Sequence, residues 1–168
     1  MTLPPQHSGY QSLRLHGYDY TQAGAYFVTS CVYQRKCLFG HIQAGEMVLT
    51  AAGQMVQQVW DGLPVRYPSI ELDAFIVMPN HVHAILVLAG TDTAANSPLL
   101  GTVIRAFKSL SAVQVNRALG RSGIPLWQRN YYEHIVRHDK ELDHIRTYIL
   151  SNAVQWELDE ENPASSMG

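Results

Sequence analysis

Two histidines, His81 and His83, are separated by a single residue in the stretch Met78-Pro79-Asn80-His81-Val82-His83. Apolar, β-rich runs flank this stretch, and its Pro-Asn step favours a tight turn between two strands because a continuous helix would not tolerate it. Residues two apart on a strand point to the same face, about 6.5–7 Å apart along the backbone. Two imidazoles at that spacing could share one metal ion. A His-x-His pair by itself also fits a turn cap and a core packing residue, so other residues must decide.

A tyrosine and an asparagine, Tyr148 and Asn152, lie four residues apart in a helical pattern that covers residues 139–156. The spacing puts both side chains on one helix face, beside an apolar stripe. Alone, the pair is ordinary: a tyrosine at a core edge and an asparagine near a helix end. If this helix packs on the face of the two histidines, two nitrogens and one oxygen could bind a divalent cation, with Tyr148 one turn away. Three protein ligands leave positions open for a substrate phosphate.

Hydrophobic periodicity predicts the elements that must position these residues. Alternating and β-branched runs predict strands, and apolar residues at intervals of three and four predict helices. The predicted elements are a strand at 25–33, a helix at 46–63 ended by Gly62 and Pro64, strands at 69–77 and 81–89, a helix from Pro98, a strand at 126–137 and a last helix at 139–156 with Asp139 as N-cap.

This order of elements predicts an α+β fold of the split βαβ type, as in ferredoxin-like and RRM-like domains. Such a fold has a four-stranded antiparallel sheet with two helices on one face. The C-terminal helix, which carries Tyr148, is then available for the other face. We expect one domain over residues 1–156, with an N-terminal arm at 1–24, followed by an acidic and flexible tail at 157–168.

Composition excludes several classes of protein. With 168 residues, 46% hydrophobic and 15% charged, the chain has the composition of a globular domain and not of a disordered one. Its apolar runs fall short of the roughly 20 residues that span a bilayer, so we expect a cytoplasmic protein without membrane association. The spacing of Cys31 and Cys37 matches neither a disulfide framework nor a zinc site.

The charge is spread unevenly along the chain. The net charge is −2, yet residues 98–156 contain eight Lys or Arg against four Asp or Glu, and residues 157–168 contain four acidic residues and no basic one. A basic region within an otherwise acidic protein indicates an anionic partner, although a scattered solvated surface would give the same count.

Several segments together resemble the single-tyrosine HUH transposases, nearest to the REP-associated tyrosine transposase branch. They are Pro79-Asn80-His81-Val82-His83, Leu126-Trp127-Gln128-Arg129-Asn130-Tyr131-Tyr132-Glu133-His134-Ile135-Val136-Arg137, Tyr148-Ile149-x-x-Asn152, Arg14-Leu15-His16-Gly17-Tyr18-Asp19-Tyr20, Gly24-Ala25-Tyr26-Phe27-Val28-Thr29 and Phe107-Lys108-Ser109. The resemblance covers roughly residues 10–155. One departure is Ala153, where the branch commonly has proline.

The resemblance implies a metal-dependent enzyme that acts on single-stranded DNA next to a hairpin. His81, His83 and Asn152 would bind Mg²⁺ or Mn²⁺, and Tyr148 would be the nucleophile. Attack would leave a 5′-phosphotyrosine and a free 3′-OH, so that strands can later be rejoined without a nucleotide cofactor. The protein would be a monomer or a homodimer, with the site completed within one chain or by a partner.

Alternative assignments of the nucleophile and of the third metal ligand stay open. Tyr131 and Tyr132 are alternative nucleophiles, although aromatic strand residues are more often core or base-stacking groups. Glu141, nearly two turns before Tyr148, is an alternative ligand to Asn152. The candidate phosphate contacts are Lys108, favoured because it matches the family segment, and Arg105, Arg117, Arg121 and Arg129.

Two other function classes compete with the transposase. A nucleic-acid binding module on the same fold would use Tyr26, Phe27, Tyr131 and Tyr132 for stacking, without chemistry. A metal-dependent hydrolase with a water nucleophile would form no covalent adduct. The His-x-His with Tyr-x-x-x-Asn favours the transposase. The sequence alone does not specify the DNA target, the native metal, a mobile or a host-adopted role, or the role of the acidic tail.

Overall fold

The computed structural model describes residues 24–88 and 99–164. Its strands are β1 Gly24–Cys31, β2 Gly40–Gln43, β3 Glu46–Leu49, β4 Ile70–Val77, β5 His81–Leu88 and β6 Tyr132–Val136. Its helices are α1 Ala51–Asp61, α2 Leu63–Arg66, α3 Leu100–Ala118 and α4 Asp139–Ser151. None of these helices is long and apolar enough to cross a membrane. The expected N-terminal arm up to residue 23, the last residue of the 81–89 strand and the expected helix start at Pro98 lie outside the described residues.

The main sheet has four antiparallel strands in the order β4-β5-β1-β6, and alternate residues of β1 separate its two faces. Tyr26 and Val28 belong to the core cluster that α1 and α3 cover. Phe27 and Cys31 point to the opposite face, where they pack with Ile149 of α4 and its neighbours. The predicted split βαβ fold, with two helices on one face and the tyrosine helix on the other, is therefore confirmed.

A small hairpin, β2–β3, precedes α1 and was not predicted. Residues 46–49 were expected to form the first turn of the helix, but they pair with β2 across a tight turn in which Ala44 and Gly45 have positive φ values of 53° and 75°. The helix starts at Ala51 because Thr50 caps it, its side chain accepting a hydrogen bond from Gly53 N. A Cβ at Gly53 would lie 2.2 Å from Phe39 O, so only glycine fits where the hairpin meets the helix.

The fourth strand is shorter than the predicted 126–137. Within residues 126–137, only β6 forms a continuous ladder with β1, and Trp127 makes an isolated bridge to Val32. The intervening residues leave the sheet because Trp127 turns into the core, where its Nε1 donates to Ser111 Oγ of α3 at 2.9 Å. The aromatic alternation of this segment therefore reflects packing against α3 as well as strand pairing.

The last helix differs from the prediction at both ends. Its N-cap is His138 and not Asp139, because His138 Nδ1 accepts a hydrogen bond from Glu141 N at 3.2 Å. It ends at Ser151, so Trp156 lies beyond it in a short 3₁₀ turn. In the expected acidic tail, Glu161 is only 1% exposed and its backbone oxygen accepts a hydrogen bond from Asn80. Residues 165–168 of that tail lie outside the described residues, and its flexibility stays a prediction.

Candidate active site

His81 and His83 are the first and third residues of β5, and both side chains are fully buried on the face that α4 covers. Their Nε2 atoms lie 3.1 Å apart. This separation is close to the roughly 3 Å between neighbouring ligands of an octahedral ion with bonds near 2.1 Å. The predicted convergence of the two imidazoles is therefore present, and the alternating geometry of one strand produces it.

The opposite nitrogen of each ring is held by a neighbour. His81 Nδ1 lies 2.8 Å from Asn80 Oδ1. The amide nitrogen of Asn80 donates to Glu161 O at 2.6 Å and to Arg35 O at 3.2 Å, so its Oδ1 is left to accept from His81. His83 Nδ1 lies 2.7 Å from Thr29 Oγ1, a hydroxyl that can accept the same kind of bond. With protons on both Nδ1 atoms, both Nε2 lone pairs face one point, as in metal-bound histidines.

Burial keeps both imidazoles neutral. Loss of hydration lowers the pKa of His81 to about 3, although the nearby Asn152 side chain raises it in part. Burial and the proximity of His81 lower the pKa of His83 well below its ordinary value. A neutral imidazole is the form that binds a metal ion, so neither ring has to lose a proton first at neutral pH.

Asp159 is a third ligand candidate, and the sequence analysis missed it. Its Oδ2 lies 3.7 Å from His81 Nε2, and its carboxylate and the two imidazoles offer three ligand atoms that all lie within 4.8 Å of one another. Burial and then the charges of Glu161 and Glu160 raise the pKa of Asp159 to about 6, although a backbone hydrogen bond from Glu161 opposes the shift. In the sequence, Asp159 was one of four acidic residues in a short tail, and nothing in its spacing set it apart.

Asn152 completes the group of oxygen and nitrogen donors. It is the C-cap of α4, it is 2% exposed and its side chain approaches His81. Its Oδ1 is buried and accepts no hydrogen bond from any described residue, which is costly unless another ligand is present. Two imidazoles, one carboxylate and one amide oxygen form a donor set that suits a divalent cation such as Mn²⁺ or Mg²⁺. The residues present therefore fit a metal ion.

Tyr148 lies one helical turn before Asn152, and its ring is half-buried beside His83. The two ring centroids are 5.3 Å apart, and the Phe27 ring meets Tyr148 edge-on at 6.2 Å. Tyr132 lies on the same face but is 2% exposed, and burial, followed by the charges of Glu141 and Tyr148, raises its pKa to about 12. Tyr131 packs with the cluster on the other face. Of the three tyrosines, Tyr148 combines proximity to the histidines with access from outside.

Glu141 is placed away from the two histidines. Its Oε1 forms a short hydrogen bond with His134 Nε2, and its Oε2 accepts from Arg137 N at 3.2 Å. These contacts hold its carboxylate at the start of α4, and they lower its pKa although burial opposes the shift. Glu141 therefore fastens α4 to β6 and does not enter the group of ligand atoms around His81.

The five predicted phosphate contacts are distributed over two regions. Arg105, Lys108 and Arg129 line one cleft between α3 and residues 125–131. Arg117 is exposed near the end of α3, and Arg121 follows that helix and donates to Pro125 O at 3.5 Å. Lys108 Nζ is turned towards backbone oxygens, the nearest being Gln128 O at 2.6 Å. The structure thus brings three of the five together and leaves Arg117 and Arg121 outside that cleft.

Comparison with other proteins gives a consistent result, although no family model matches the chain. An uncharacterized protein of Haemophilus influenzae is 35% identical over 168 residues, which cover 89% of this chain and 91% of that protein. A second protein of the same organism, named "Putative REP-associated tyrosine transposase", is 28% identical over 142 residues, or 82% of this chain and 74% of that protein.

Two solved structures share the fold. A REP-associated tyrosine transposase bound to a REP hairpin superposes with a TM-score of 0.63 at 23% identity, over 88% of this chain and 77% of that chain. A crystal structure described as a putative transposase from Deinococcus radiodurans R1 gives a TM-score of 0.52 at 19% identity, over 82% and 95% of the two chains. The resemblance to the REP-associated tyrosine transposases is confirmed, and it supports a transposase-like enzyme at the level of the family.

Proposed function

We propose that this chain, which belongs to one family with the uncharacterized Haemophilus influenzae protein and is a relative of the REP-associated tyrosine transposases, cleaves and rejoins single-stranded DNA through a 5′-phosphotyrosine on Tyr148. The observation that carries the proposal is the approach of two buried Nε2 atoms to 3.1 Å, with the Tyr148 ring centroid 5.3 Å from that of His83. A nucleic-acid binding module has no use for a buried pair of facing lone pairs. We therefore favour the enzyme over the binding module.

His81, His83, Asp159 and Asn152 would hold the Mg²⁺ or Mn²⁺ ion. The bound cation would offset the negative charge of the scissile phosphate, which otherwise repels an approaching phenolate. Asn80 and Thr29 contact the two Nδ1 atoms and, by accepting their protons in hydrogen bonds, would hold both imidazoles in the tautomer that this role requires. The burial of the site keeps bulk water away from the ligand atoms.

Tyr148 would carry the covalent step. Its phenol loses a proton to solvent or to a nearby base, and its Oη forms a bond to phosphorus while the bond from phosphorus to the 3′ oxygen breaks. The leaving oxygen takes up a proton and becomes a free 3′-OH, and the 5′ side stays on the tyrosine. Attack by a 3′-OH of another strand reverses the step and restores Tyr148. An unperturbed phenol, with a pKa near ~10, needs such activation at neutral pH.

The contacts of Tyr148 support this role. Edge-on contacts with Phe27 and His83 restrict the Tyr148 ring at the side of the two histidines. Restriction of a nucleophile in this way lowers the entropic cost of attack. The relative whose structure contains a REP hairpin suggests hairpin DNA as the partner of this chain.

The experiment is incubation of the protein with Mn²⁺ and a labelled DNA hairpin that carries single-stranded flanks, followed by a denaturing gel. Wild type should give a covalent protein–DNA adduct, Tyr148→Phe should give none, and the control Tyr131→Phe should retain it. Phe preserves the ring contacts, so only the hydroxyl is tested. An adduct in Tyr148→Phe would overturn the assignment of the nucleophile, and its absence from wild type under all metal conditions would overturn the proposed function.

A further inference from the structure

A cleft of about 530 Å³ lies between α3 and residues 125–131, on the side of the sheet opposite Tyr148. We propose that this cleft binds one unpaired nucleotide of the DNA strand, with its phosphate on Arg105 and Arg129 and its base against Tyr131. The proposal rests on the proposed function for the identity of the ligand. It assigns to this surface the recognition of a single-stranded nucleotide, distinct from the cleavage site.

The charge of the cleft selects an anion. Its lining includes Arg105, Lys108 and Arg129, and none of the described residues that line it is acidic. Both arginines are exposed, and within residues 24–88 and 99–164 no carboxylate lies within ion-pair distance of either guanidinium. A guanidinium without a carboxylate partner can bind a phosphate with two parallel hydrogen bonds.

Lys108 holds the backbone of residues 128–130 along one side of the cleft. Its Nζ donates to the backbone oxygens of Gln128 at 2.6 Å, Arg129 at 3.3 Å and Asn130 at 3.4 Å. These bonds use the three donors of an ammonium group, and Nζ also lies 5.8 Å from the centroid of the Tyr131 ring. Lys108 is therefore a positioning residue that fixes the backbone of Arg129 and the plane of Tyr131, and the phosphate contacts fall to the two arginines.

The remaining lining suits a base. Leu126, Trp127, Ala112 and Pro125 give the cleft an apolar floor, while Ser109 and Gln128 offer polar groups near it. The volume of about 530 Å³ lies within the range of about 300–1,000 Å³ for sites that enclose a small molecule. A base in a duplex presents only its edges, whereas an unpaired base can place its face on an aromatic ring. The cleft therefore fits one unpaired nucleotide better than a duplex.

The cleft and the active site lie at the same end of the sheet. Gln128 N donates to Cys31 O at 2.8 Å, and Cys31 pairs with His81 across the β1–β5 ladder. Two strand spacings therefore separate the backbone of Gln128 from that of His81, which is about 10 Å. One DNA strand that passes around this end of the sheet can place a nucleotide in the cleft and a phosphate near Tyr148.

The test is fluorescence anisotropy with full-length protein in EDTA, so that no cleavage occurs. Three labelled DNAs are compared: a blunt hairpin, the same hairpin with a 5′ extension of six thymidines, and the hairpin with a 3′ extension of six thymidines. The double variant Arg105→Ala/Arg129→Ala should bind at least one extended hairpin about tenfold more weakly than wild type and the blunt hairpin equally well. Tyr131→Leu should lose at least about fivefold on the same DNA. Arg66→Ala, which removes an exposed arginine of α2 outside the cleft, is the matched control and should bind all three DNAs like wild type.

An equal loss of affinity for all three DNAs would show that the two arginines are general phosphate contacts, and it would overturn the proposal. Wild-type affinity of both variants for the extended hairpins would also overturn it. Circular dichroism of each variant checks that the fold is intact. The same variants, assayed with Mn²⁺, separate this proposal from the proposed function. If wild type forms the adduct and the cleft variants bind every DNA like wild type, the cleft proposal is wrong and the proposed function stands. If the cleft variants lose binding to the extended hairpins and wild type forms no adduct, the proposed function is wrong and the cleft proposal stands.

Discussion

The two faces of the sheet use alternate residues of the same strands, yet they hold different kinds of residue. On the face covered by α1 and α3, Trp60 stacks on Phe75 with ring centroids 4.7 Å apart, and Phe107 meets Trp60 edge-on at 5.2 Å. On the face covered by α4, the end of the sheet near residue 81 gathers buried groups that can bind a cation. One face therefore carries the larger apolar core, and the other combines a smaller apolar cluster with the candidate active site.

This separation has a physical basis. Buried aromatic and aliphatic side chains stabilise a fold wherever they meet, and a few kcal/mol are enough to keep a small domain folded. Buried acceptors such as the facing Nε2 atoms of His81 and His83 oppose stability unless a ligand is present. A site of that kind can persist only beside a core that stabilises the sheet from its other side, and the α1–α3 face supplies that core.

The largest expected effect concerns the packing face. Phe107→Ala removes a ring that is 1% exposed and should lower the free energy of unfolding by about 3–5 kcal/mol, because the cavity cannot collapse between Trp60 and Trp127. Urea titration followed by circular dichroism measures the change. Val113→Ala on the same helix, at a position that is 54% exposed, should stay within about 0.5 kcal/mol. A loss below about 1 kcal/mol for Phe107→Ala would contradict the division between the faces.

Local patterns were sufficient to predict the elements that carry the chemistry. The Pro79-Asn80 turn, the alternation that puts His81 and His83 on one face and the turn between Tyr148 and Asn152 each depend on residues close in sequence. The β-α-β-β-α-β order left one sheet face open for α4. The shared face of His81 and His83 could therefore be predicted before any distance was known, whereas the packing of α4 against it was only a condition of the predicted site.

Contacts between residues far apart in the sequence could not be predicted from such local patterns. Residues 46–49 satisfied a helical period, and only their pairing with β2 makes them a strand. Asp159 reaches His81 because residues 157–164 fold back onto Asn80 and Arg35, through Glu161. No short-range pattern encodes that return. The preference for Lys108 as a phosphate contact came from its match to a family segment, and that match could not reveal the three backbone oxygens that hold it.

The second prediction concerns the metal site. Asp159→Asn removes the one carboxylate from the group of His81, His83 and Asp159, and it should weaken Mn²⁺ binding at least about tenfold. Mn²⁺ titration followed by electron paramagnetic resonance measures this, and the rise of Tm with added Mn²⁺ should shrink in parallel. Glu160→Gln removes an exposed carboxylate next to Asp159 and should bind Mn²⁺ like wild type. Equal affinities of the Asp159 variant and wild type would exclude the carboxylate as a ligand.

The third prediction tests how the histidines are oriented. Asn80→Ala frees His81 Nδ1 and removes the side-chain donor of two backbone oxygens, the buried one of Glu161 and the partly buried one of Arg35. Mn²⁺ affinity should fall about tenfold, and the free energy of unfolding should fall by about 1–3 kcal/mol. Isothermal titration and urea unfolding report the two effects separately. A variant that keeps full Mn²⁺ affinity would show that His81 needs no support from Asn80.

The smallest expected effect is at the rim of the α4 face. Arg146 donates from Nε and Nη2 to the Asp73 carboxylate and so lowers the pKa of that group, against the opposing effect of its partial burial. A lowered pKa in the folded state means that the stabilisation is present above the unfolded pKa and is lost as the pH falls through the folded one. Asp73→Asn should therefore lower Tm slightly at pH 7, and the difference should shrink as the pH falls below 3.8, through the lowered pKa of Asp73. A difference that does not depend on pH would assign the effect to packing.

The most direct test of the central claim is peptide mass spectrometry of the adduct formed with Mn²⁺ and a hairpin DNA whose flanks are single-stranded. After nuclease and protease digestion, the nucleotide should be found on the peptide that contains Tyr148, attached through its 5′ phosphate. Since Tyr148 adjoins His83 and Tyr131 packs with the opposite cluster, the position of the label reports directly which face performs the chemistry. A nucleotide on Tyr131 or Tyr132, or a cleaved strand with no covalent nucleotide, would contradict the account.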